Sequence, residues 1–436
     1  MQGLVDEAGL RRMTRLLTGA VVLMLLGGAA VSGAASPLLG PNIRITGAAT
    51  TEYNPEVAWS SKAEEFLVVW EYYRNDAARG WDIYGRRVGT DGTRVGPSVR
   101  ISGVSAVSNE YNPAVTWSDS AGAYLVVWED MRNDATRGWD IYGQLVGADG
   151  VPVAPNFRIS SPAATTDQYE PAVVSNPAAN EYLVVWEDTR DTGTRGADIY
   201  GQRLAADGSR IGGDFRISGV AATANEGEPA VAWSQDTDSY LVVWQDARDA
   251  PPCGYGIYGQ RLAADGSRVG GNFRMSGVAV VSGESAPAVA WNQYAGAYLA
   301  VWADIRNEAT RGWDIYGQRL GGNGALAGGN FRISGAAATS NEYNPAVASN
   351  ETGGGYLVVW QDERSYATRG VDVYGQHLGG NGGLDGSNFL ISRAATNEYA
   401  PVLAWDQVAN QYLVVWDDER NHATRWTDIY GQRLTG

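Results

Sequence analysis

The pentapeptide Tyr-Leu-Val-Val-Trp at residues 124–128 is one of seven close copies of an apolar segment, and the spacing of these copies decides the fold. Five of the six intervals between the closing tryptophans are 58 residues, and the last is 56. A Tyr-Gly pair that begins at Tyr84 recurs with the same period. A fixed period of this length predicts an array of supersecondary units, none of which can bury its apolar face alone. The seven tryptophans are Trp70, Trp128, Trp186, Trp244, Trp302, Trp360 and Trp416.

Each unit contains four short segments that are typical of β-strands. In the second unit they are Pro113–Trp117, Tyr124–Trp128, Asp140–Val146 and Phe157–Ser160, which we name strands A, B, C and D. Asp-Gly pairs between strands C and D are hairpin signals, and the repeats show no helical periodicity. Seven such units predict an all-β, seven-bladed β-propeller with four antiparallel strands per blade. A string of separate β-sandwiches is the weaker alternative.

The phase of the repeat predicts that the propeller is closed by its own N-terminal strand. The last unit ends at Leu434, after its strand C, while Asn42–Thr46 has the pattern of a strand D with no unit before it. We therefore expect the strand at residues 42–46 to complete the last blade, which removes two exposed strand edges. An open solenoid would need distinct end caps, and the sequence shows none.

The order of the segments resembles a known class of repeats. A Pro-led strand (Pro113–Trp117), an apolar strand (Tyr124–Trp128) and an Ile-Tyr strand (Asp140–Tyr142) follow one another as in β-propeller repeats of the broad TolB/WD40-like kind. The resemblance covers all seven units but is loose, because the Gly-His and Trp-Asp marks of WD40 blades are missing. It implies the fold and carries no activity with it.

The N-terminus has the pattern of a targeting segment. Three arginines precede an uncharged stretch from Leu16 to Ala35 that ends in small residues, as in secretory signal peptides. We expect residues 1–35 to be a signal peptide and residues 36–436 to form one exported propeller domain, which is secreted, periplasmic or held at the cell surface. An uncleaved N-terminal anchor is the alternative, because the stretch is about long enough to span a bilayer. Either Met1 or Met13 could be the start.

The composition excludes several classes of function. With 33 Lys and Arg against 49 Asp and Glu, the net charge is −16, so the surface repels nucleic acid and anionic lipid and suits cations, basic proteins or neutral sugars. Cys253 is the only cysteine and cannot form an internal disulfide. The two histidines, His377 and His422, are too few for a His-rich metal cluster.

A ring of acidic residues is expected at the mouth of the central channel. The loops from D to A and from B to C share one face of such a propeller, and long loops on a rigid frame often carry function. Six units have a glutamate three residues before the Pro of strand A, and the third unit has Gln168 there. The ring could hold a hard cation such as Ca²⁺ or a basic group, or each Glu could pair with an Arg or cap loop amides. The candidate metal ligands are Glu52, Glu110, Glu226, Glu284, Glu342 and Glu398.

An Asp-x-Arg motif follows strand B. The Arg occurs in all seven units and the Asp in six, because Tyr72 replaces it in the first. A further acid opens strand C, so the Arg should lie between two carboxylates, which predicts a structural clamp. Repeated Ca²⁺ ligation by the Asp residues is the sharper alternative. The predicted clamp residues are Arg74, Asp130, Arg132, Asp188, Arg190, Asp246, Arg248, Asp304, Arg306, Asp362, Arg364, Asp418 and Arg420.

Aromatic residues accompany these polar groups on the same loops. A tryptophan precedes strand C in three units, and a fourth lies close to the same place in the last unit. Exposed aromatic rings beside Asp, Asn and Arg suit the binding of neutral sugars, and the alternative is that the rings fill gaps between blades. The candidate ligand-binding residues are Trp81, Trp139, Trp313, Trp426, Tyr53, Tyr111 and Tyr343.

Departures from the repeat could mark a single asymmetric site, or they could be drift among duplicated units. The fourth unit has Ala250–Gly256 in place of the usual B-to-C loop, the first has Glu56 in strand A, and the sixth has Tyr366. The D-to-A loop before the last unit is shorter by two residues.

The sequence favours a binding module over an enzyme. It contains no nucleophile elbow and no phosphate-binding Gly loop before a helix, and we predict no catalytic residue. The main hypothesis is a secreted or cell-surface, non-enzymatic propeller that binds a glycan or a surface protein through repeated loop sites, by multivalency. A structural or protein-interaction propeller is one alternative. A glycan-cleaving enzyme that uses carboxylates at the channel mouth is another. The ligand and the oligomeric state stay open.

Overall fold

The computed structural model describes residues 37–47, 50–73, 80–103, 108–162, 164–219, 224–249, 254–277, 283–335, 340–392 and 394–436. The segment predicted to direct export, Arg74 and Cys253 lie outside the described residues. In the described part of the chain, no helix combines the length and the apolar character needed to cross a membrane.

The described residues form seven four-stranded antiparallel sheets, which confirms the predicted seven-bladed propeller. The first strand of the chain is β1 (Leu38–Arg44). Blade 1 contains β2 (Glu52–Ser60), β3 (Glu65–Tyr73), β4 (Trp81–Gly89) and β5 (Arg94–Arg100). Blade 2 contains β6 (Glu110–Ser118), β7 (Ala123–Asp130), β8 (Asp140–Gly147) and β9 (Phe157–Arg158). Blade 3 contains β10 (Gln168–Asn176), β11 (Glu181–Asp188), β12 (Asp198–Ala205) and β13 (Arg210–Arg216).

The remaining blades repeat this order. Blade 4 contains β14 (Glu226–Ser234), β15 (Ser239–Asp246), β16 (Gly256–Ala263) and β17 (Arg268–Arg274). Blade 5 contains β18 (Glu284–Asn292), β19 (Ala297–Asp304), β20 (Asp314–Gly321) and β21 (Leu326–Arg332). Blade 6 contains β22 (Glu342–Ser349), β23 (Tyr356–Asp362), β24 (Asp372–Leu378) and β25 (Leu384–Leu390). Blade 7 contains β26 (Glu398–Asp406), β27 (Gln411–Asp418) and β28 (Asp428–Thr435), and β1 is its fourth strand.

Within the described residues, short helices that the sequence did not predict occur in four of the B-to-C loops. Each is a single turn of four residues, too short to produce a helical periodicity in the sequence. The helices are α1 (Asp134–Arg137), α2 (Glu308–Arg311), α3 (Tyr366–Arg369) and α4 (His422–Arg425).

The predicted ring closure is confirmed. Strand β1 pairs antiparallel with β28, with Ile43 opposite Gly431 and Arg44 opposite Tyr430. Beyond the last of these pairs, the backbone N–H of Ile429 donates a hydrogen bond of 3.0 Å to Oγ1 of Thr46. The N-terminal strand thus covers an edge of β28 that would otherwise be open to pairing with another chain.

The Pro-led A strands form the inner ring. The A strands of consecutive blades contact one another all the way round, and β26 of blade 7 contacts β2 of blade 1. Because neighbouring strands are antiparallel, the D-to-A and B-to-C loops lie together on one face, which we name the upper face. Backbone bonds join these loops across blades, as where the N–H of Gln168 donates to the carbonyl of Trp139 at 2.9 Å.

The core lies between blades and explains why the units cannot stand alone. Tyr124 and Trp128 of blade 2 are fully buried against Leu67 and Val69 of blade 1, and equivalent clusters lie between the other blades. The hydroxyl of Tyr124 also donates a hydrogen bond of 3.2 Å to the carbonyl of Glu65 in blade 1. Burial of apolar surface stabilises a fold by about 25 cal/mol per Å². In these clusters the surface is buried only when two neighbouring blades pack together.

One residue per blade, directly before the Pro of strand A, adopts a left-handed backbone with φ between 47° and 52°. The A–B pairing is interrupted there, as between Tyr53 and Glu56 in blade 1. Residues other than glycine rarely adopt this backbone conformation. Its recurrence in every blade places one half-buried side chain per blade at the channel mouth. These mouth positions are Asn54, Asn112, Glu170, Glu228, Ala286, Asn344 and Ala400.

Candidate functional site

The structure brings each described Asp-x-Arg pair together beneath the upper face. In blade 2, the indole Nε1 of Trp128 donates to Oδ2 of Asp130 at 3.0 Å, and Nε of Arg132 donates to Oδ1 at 2.8 Å. The guanidinium of Arg132 lies 3.9 Å over the ring of Tyr142, a cation–π contact. Asp188–Arg190, Asp246–Arg248, Asp304–Arg306, Asp362–Arg364 and Asp418–Arg420 form the same ion pair. In blade 1, the ring of Tyr72 instead packs 4.6 Å from that of Tyr84.

The acid that opens strand C has a different partner from the one expected. Asp140 pairs with Arg158 of strand D and leaves Arg132 to Asp130. Strands C and D lie side by side in one sheet, with Tyr142 opposite Arg158, which brings the second arginine within reach. The same pairing joins Asp82 to Arg100, Asp198 to Arg216, Asp314 to Arg332 and Asp428 to Arg44.

The ring glutamates are buried between blades and do not face the channel. Oε2 of Glu284 accepts a hydrogen bond of 3.2 Å from the N–H of Ile257 in blade 4, and Oε2 of Glu398 accepts one of 2.7 Å from Ser392. Burial raises their pKa values: Glu110 and Glu398 to about 9, Glu52, Glu226 and Glu342 to about 8, and Glu284 to about 6.

This environment does not fit a hard cation. The five ring glutamates other than Glu284 have pKa values of about 8 or 9 and keep their protons at neutral pH, which makes them poor ligands, because Ca²⁺ binds ionised oxygens. In blade 3 the neutral side chain of Gln168 occupies the same position and donates to the carbonyl of Thr166. No group of three His, Cys, Asp or Glu residues within the described ranges is arranged to hold a metal ion. The Ca²⁺ hypothesis stays a prediction.

The aromatic candidates of blades 1 and 2 pack against one another. The ring of Trp81 lies 5.8 Å from Tyr53 and 6.0 Å from Tyr111, and Tyr111 stacks on Trp139 at 5.5 Å. Tyr111 and Trp139 are buried, while Trp81 and Tyr53 are half-buried. We name this arc of rings the aromatic collar. It continues on the other side of the propeller, where Trp313 lies 5.8 Å from Tyr343.

The collar is interrupted from blade 3 to blade 5. Ala197 stands where Trp139 and Trp313 stand in other blades, and Gly227 and Ser285 stand where five blades have tyrosine. A Cβ atom at Gly227 would lie 2.5 Å from Oε2 of Glu187, so no tyrosine could occupy this position without moving Glu187. Next to the gap, the ring of Tyr255 is 39% exposed.

Three glutamates of blades 3 and 4 border this gap: Glu170 on β10, Glu187 on β11 and Glu228 on β14. Among the seven mouth positions only Glu170 and Glu228 are acidic, and they lie on adjacent inner strands. Glu187 lies opposite Tyr169, the neighbour of Glu170, and against Gly227, the neighbour of Glu228. We name Glu170, Glu187 and Glu228 the acidic notch. Glu170 and Glu228 are half-buried, and Oε2 of Glu228 accepts a hydrogen bond of 2.7 Å from the N–H of Ala286 in blade 5.

Glu170 and Glu228 were not predicted as site residues, because the acids that repeat in most units drew the prediction to other positions. The mouth position reads Asn, Asn, Glu, Glu, Ala, Asn, Ala along the seven units, and the position before it reads Tyr in all but units 4 and 5. These two repeat positions could have indicated the site from the sequence, since both depart from the repeat in neighbouring units.

No protein-family model and no curated protein sequence matches the chain. Solved structures show the same fold at low identity. A puromycin hydrolase is 15% identical with a TM-score of 0.54, over 87% of this chain and 53% of that one. The GH93 α-L-arabinofuranosidase of Fusarium graminearum, solved with arabinobiose, is 12% identical with a TM-score of 0.51, over 91% and 98%. The α-L-arabinanase of Penicillium chrysogenum is 15% identical with a TM-score of 0.49, over 73% and 93%.

These comparisons correct the functional prediction. The preference for a non-enzymatic binding module is wrong: the similar solved structures are those of enzymes, and the arabinofuranosidase acts on glycans. The closer resemblance to TolB/WD40-like repeats is not confirmed, since at such identities the likeness shows the β-propeller fold alone.

Proposed function

We propose that this chain is a glycan-cleaving enzyme whose catalytic groups are carboxyls of the acidic notch. The observation that carries the proposal is the half-buried pair Glu170 and Glu228 on neighbouring inner strands, next to Glu187, in a ring with no other acid at the corresponding positions. Glycoside cleavage usually needs two such groups. One donates a proton to the leaving oxygen, and the other attacks the anomeric carbon or activates a water molecule.

The surroundings of the acidic notch suggest a role for each group. Glu228 is held by the N–H of Ala286, which fixes the orientation of an accepting oxygen, so we assign it as nucleophile or base. Glu170 and Glu187 are the candidates for the proton donor.

The same surroundings favour a neutral substrate. The half-exposed ring of Tyr255 offers a face for stacking on a sugar, in the way that binding sites combine apolar faces with a few polar groups. The net charge of −16 disfavours anionic glycans. Export, as the N-terminal segment predicts, would bring the enzyme to extracellular polysaccharide. The arabinofuranosidase with the same fold makes arabinan and arabinobiose the first substrates to test.

The test is the release of reducing sugar from arabinan, arabinobiose and xylan by the full chain and by single variants. Glu228→Gln and Glu170→Gln are each expected to lower kcat by about 100-fold or more, the usual worth of a positioned acid or base. The matched control is Glu342→Gln, which alters a buried ring glutamate on blade 6 and should leave kcat unchanged.

Two results would contradict the proposal. If none of these or other neutral glycans releases sugar, the chain is not a glycan-cleaving enzyme, and the structural or protein-interaction alternative gains. If sugar is released but Glu170→Gln and Glu228→Gln both retain the wild-type kcat, the catalytic groups lie elsewhere.

A further inference from the structure

Trp426 occupies a position that the other six blades give to glycine. Its φ is 66°, in the left-handed region that glycine enters freely and a bulky side chain enters only at an energetic cost. The equivalent glycines are Gly80, Gly138, Gly196, Gly254, Gly312 and Gly370, all with positive φ.

The shift by one position changes where the ring goes. In blade 2 the tryptophan follows the glycine, and Trp139 is buried in the aromatic collar. In blade 7 the tryptophan takes the place of the glycine, Thr427 follows it, and the indole of Trp426 is 58% exposed. Trp426 and Trp139 have the same predicted role, but the structure places the two rings in different environments.

An open groove of about 400 Å³ lies beside Trp426, between the upper-face loops of blades 6 and 7. The ring of His422 borders it and lies 5.1 Å from that of Trp426. Tyr366 is on the other side and is 61% exposed. These two residues begin α3 and α4, where α1 and α2 begin with Asp134 and Glu308, so aromatic rings replace acids only on the two blades that form the groove.

Polar groups complete the lining of this groove. The amide of Asn397 donates to Oε2 of Glu419 at 2.8 Å, and Arg369 pairs with Asp372 at 3.1 Å. Asn397 belongs to the D-to-A loop that is shorter by two residues than its counterparts. Exposed aromatic faces next to hydrogen-bond donors and acceptors match the surface of a neutral sugar, which has an apolar face and hydroxyl groups. We name the site of Tyr366, Arg369, Asn397, Glu419 and His422, with Trp426 at its border, the outer groove.

We propose that the outer groove is a second carbohydrate site, separate from the acidic notch, which holds a neutral polysaccharide on the upper face. The choice of a glycan as ligand rests on the proposed function. The site itself rests on the exposed rings of blades 6 and 7. Holding a long chain here raises its concentration near the acidic notch, while a disaccharide is too short to gain from it.

The test is native electrophoresis of the full chain through gels that contain arabinan, xylan or a neutral β-glucan. We expect at least one of them to retard the wild type, and we expect Trp426→Gly and Tyr366→Ala to raise the dissociation constant about tenfold each, as for the loss of one stacking contact. Trp426→Gly restores the residue of the other six blades, so it should fold. The control is Tyr294→Ala, since Tyr294 is 65% exposed on an A-to-B turn of the opposite face.

The failure of this proposal is separable from that of the catalytic one. Glu228→Gln should keep wild-type retardation, and Trp426→Gly should keep wild-type kcat on arabinobiose while its KM for polysaccharide rises. Retardation without turnover would leave the outer groove standing and end the catalytic proposal. The outer groove is refuted if none of the three polysaccharides retards the wild type, or if Trp426→Gly and Tyr366→Ala are retarded as strongly as the wild type.

Discussion

Glu398 illustrates what burial does to a repeated acidic residue. Its side chain is fully buried, and removal from water, with the nearby Asp418 adding to it, raises its pKa to about 9 against the hydrogen bond from Ser392. The neutral amide of Gln168 serves at the equivalent position of blade 3. The ring glutamates are therefore groups of the frame, three of which (Glu226, Glu284 and Glu342) also pair with an arginine, whereas the candidates Glu170 and Glu228 have no acidic equivalent in the other blades.

The raised pKa predicts how stability depends on pH. Between about 4.5 and about 9 the folded state keeps a proton on Glu398 that the unfolded chain has lost, so this residue favours unfolding increasingly as the pH rises. Glu398→Gln should therefore raise the Tm relative to wild type at about pH 8 more than at about pH 5. Thermal melts measure this, with the exposed Glu64→Gln as control. A difference in Tm that does not change with pH would show that Glu398 is ionised in the folded protein.

At the scale of the element, the Asp-x-Arg clamp fastens the end of strand B. In blade 5, Asp304 accepts the indole N–H of Trp302 at 2.9 Å, the backbone N–H of Arg306 at 2.9 Å and its Nε at 2.8 Å. The guanidinium then lies 4.1 Å over Tyr316 of strand C. One buried carboxylate thus satisfies a core indole and the start of the loop, which is a framework role and explains why it recurs.

Removal of this carboxylate should destabilise the blade strongly. Asp304→Ala would leave the buried indole of Trp302 and the guanidinium of Arg306 without their acceptor, at a cost of about 3–5 kcal/mol. Urea unfolding followed by tryptophan fluorescence measures the change in the free energy of unfolding. The control Asp265→Ala alters an exposed turn carboxylate that accepts one backbone N–H and should cost about 1 kcal/mol or less. An unchanged urea midpoint for Asp304→Ala would mean that the clamp adds nothing to stability.

At the scale of the whole molecule, one short segment closes the ring. Ile45 is fully buried in the seventh blade, and Arg44 pairs with Asp428 at 2.6 Å. All contacts of β1 with β28 join the two ends of the described domain. The inter-blade core is continuous only when this segment is in place.

Truncation tests the closure. A chain that begins at Pro37 should unfold at the same urea concentration as the full chain, whereas one that begins at Thr50 should lose several kcal/mol, because β1 and the buried Ile45 are gone. The exposed edge of β28 should also promote association, which gel filtration detects. Equal urea midpoints for the two truncated chains would show that the ring does not depend on β1.

The sequence by itself determined the number of blades, the strand order and the closing segment, because alternation, turn residues and period are local or strictly repeated features. It also predicted the Asp-x-Arg ion pairs, because the two residues of each pair are separated by only one position. It could not choose the partner of Asp140, since only the pairing of strands C and D brings Arg158 near. Burial of the ring glutamates and exposure of Trp426 were also out of reach, because both depend on the neighbouring blade.

The acidic notch and the outer groove were decided by tertiary structure alone. Glu187 meets Gly227 across 40 residues of sequence, and Tyr366 faces His422 across 56. Such pairs come together because blades pack side by side, with equivalent positions stacked around the ring. The sequence of the repeat shows the features that all units share. A site formed by residues that differ between units is visible only in the structure, where adjacent blades are in contact.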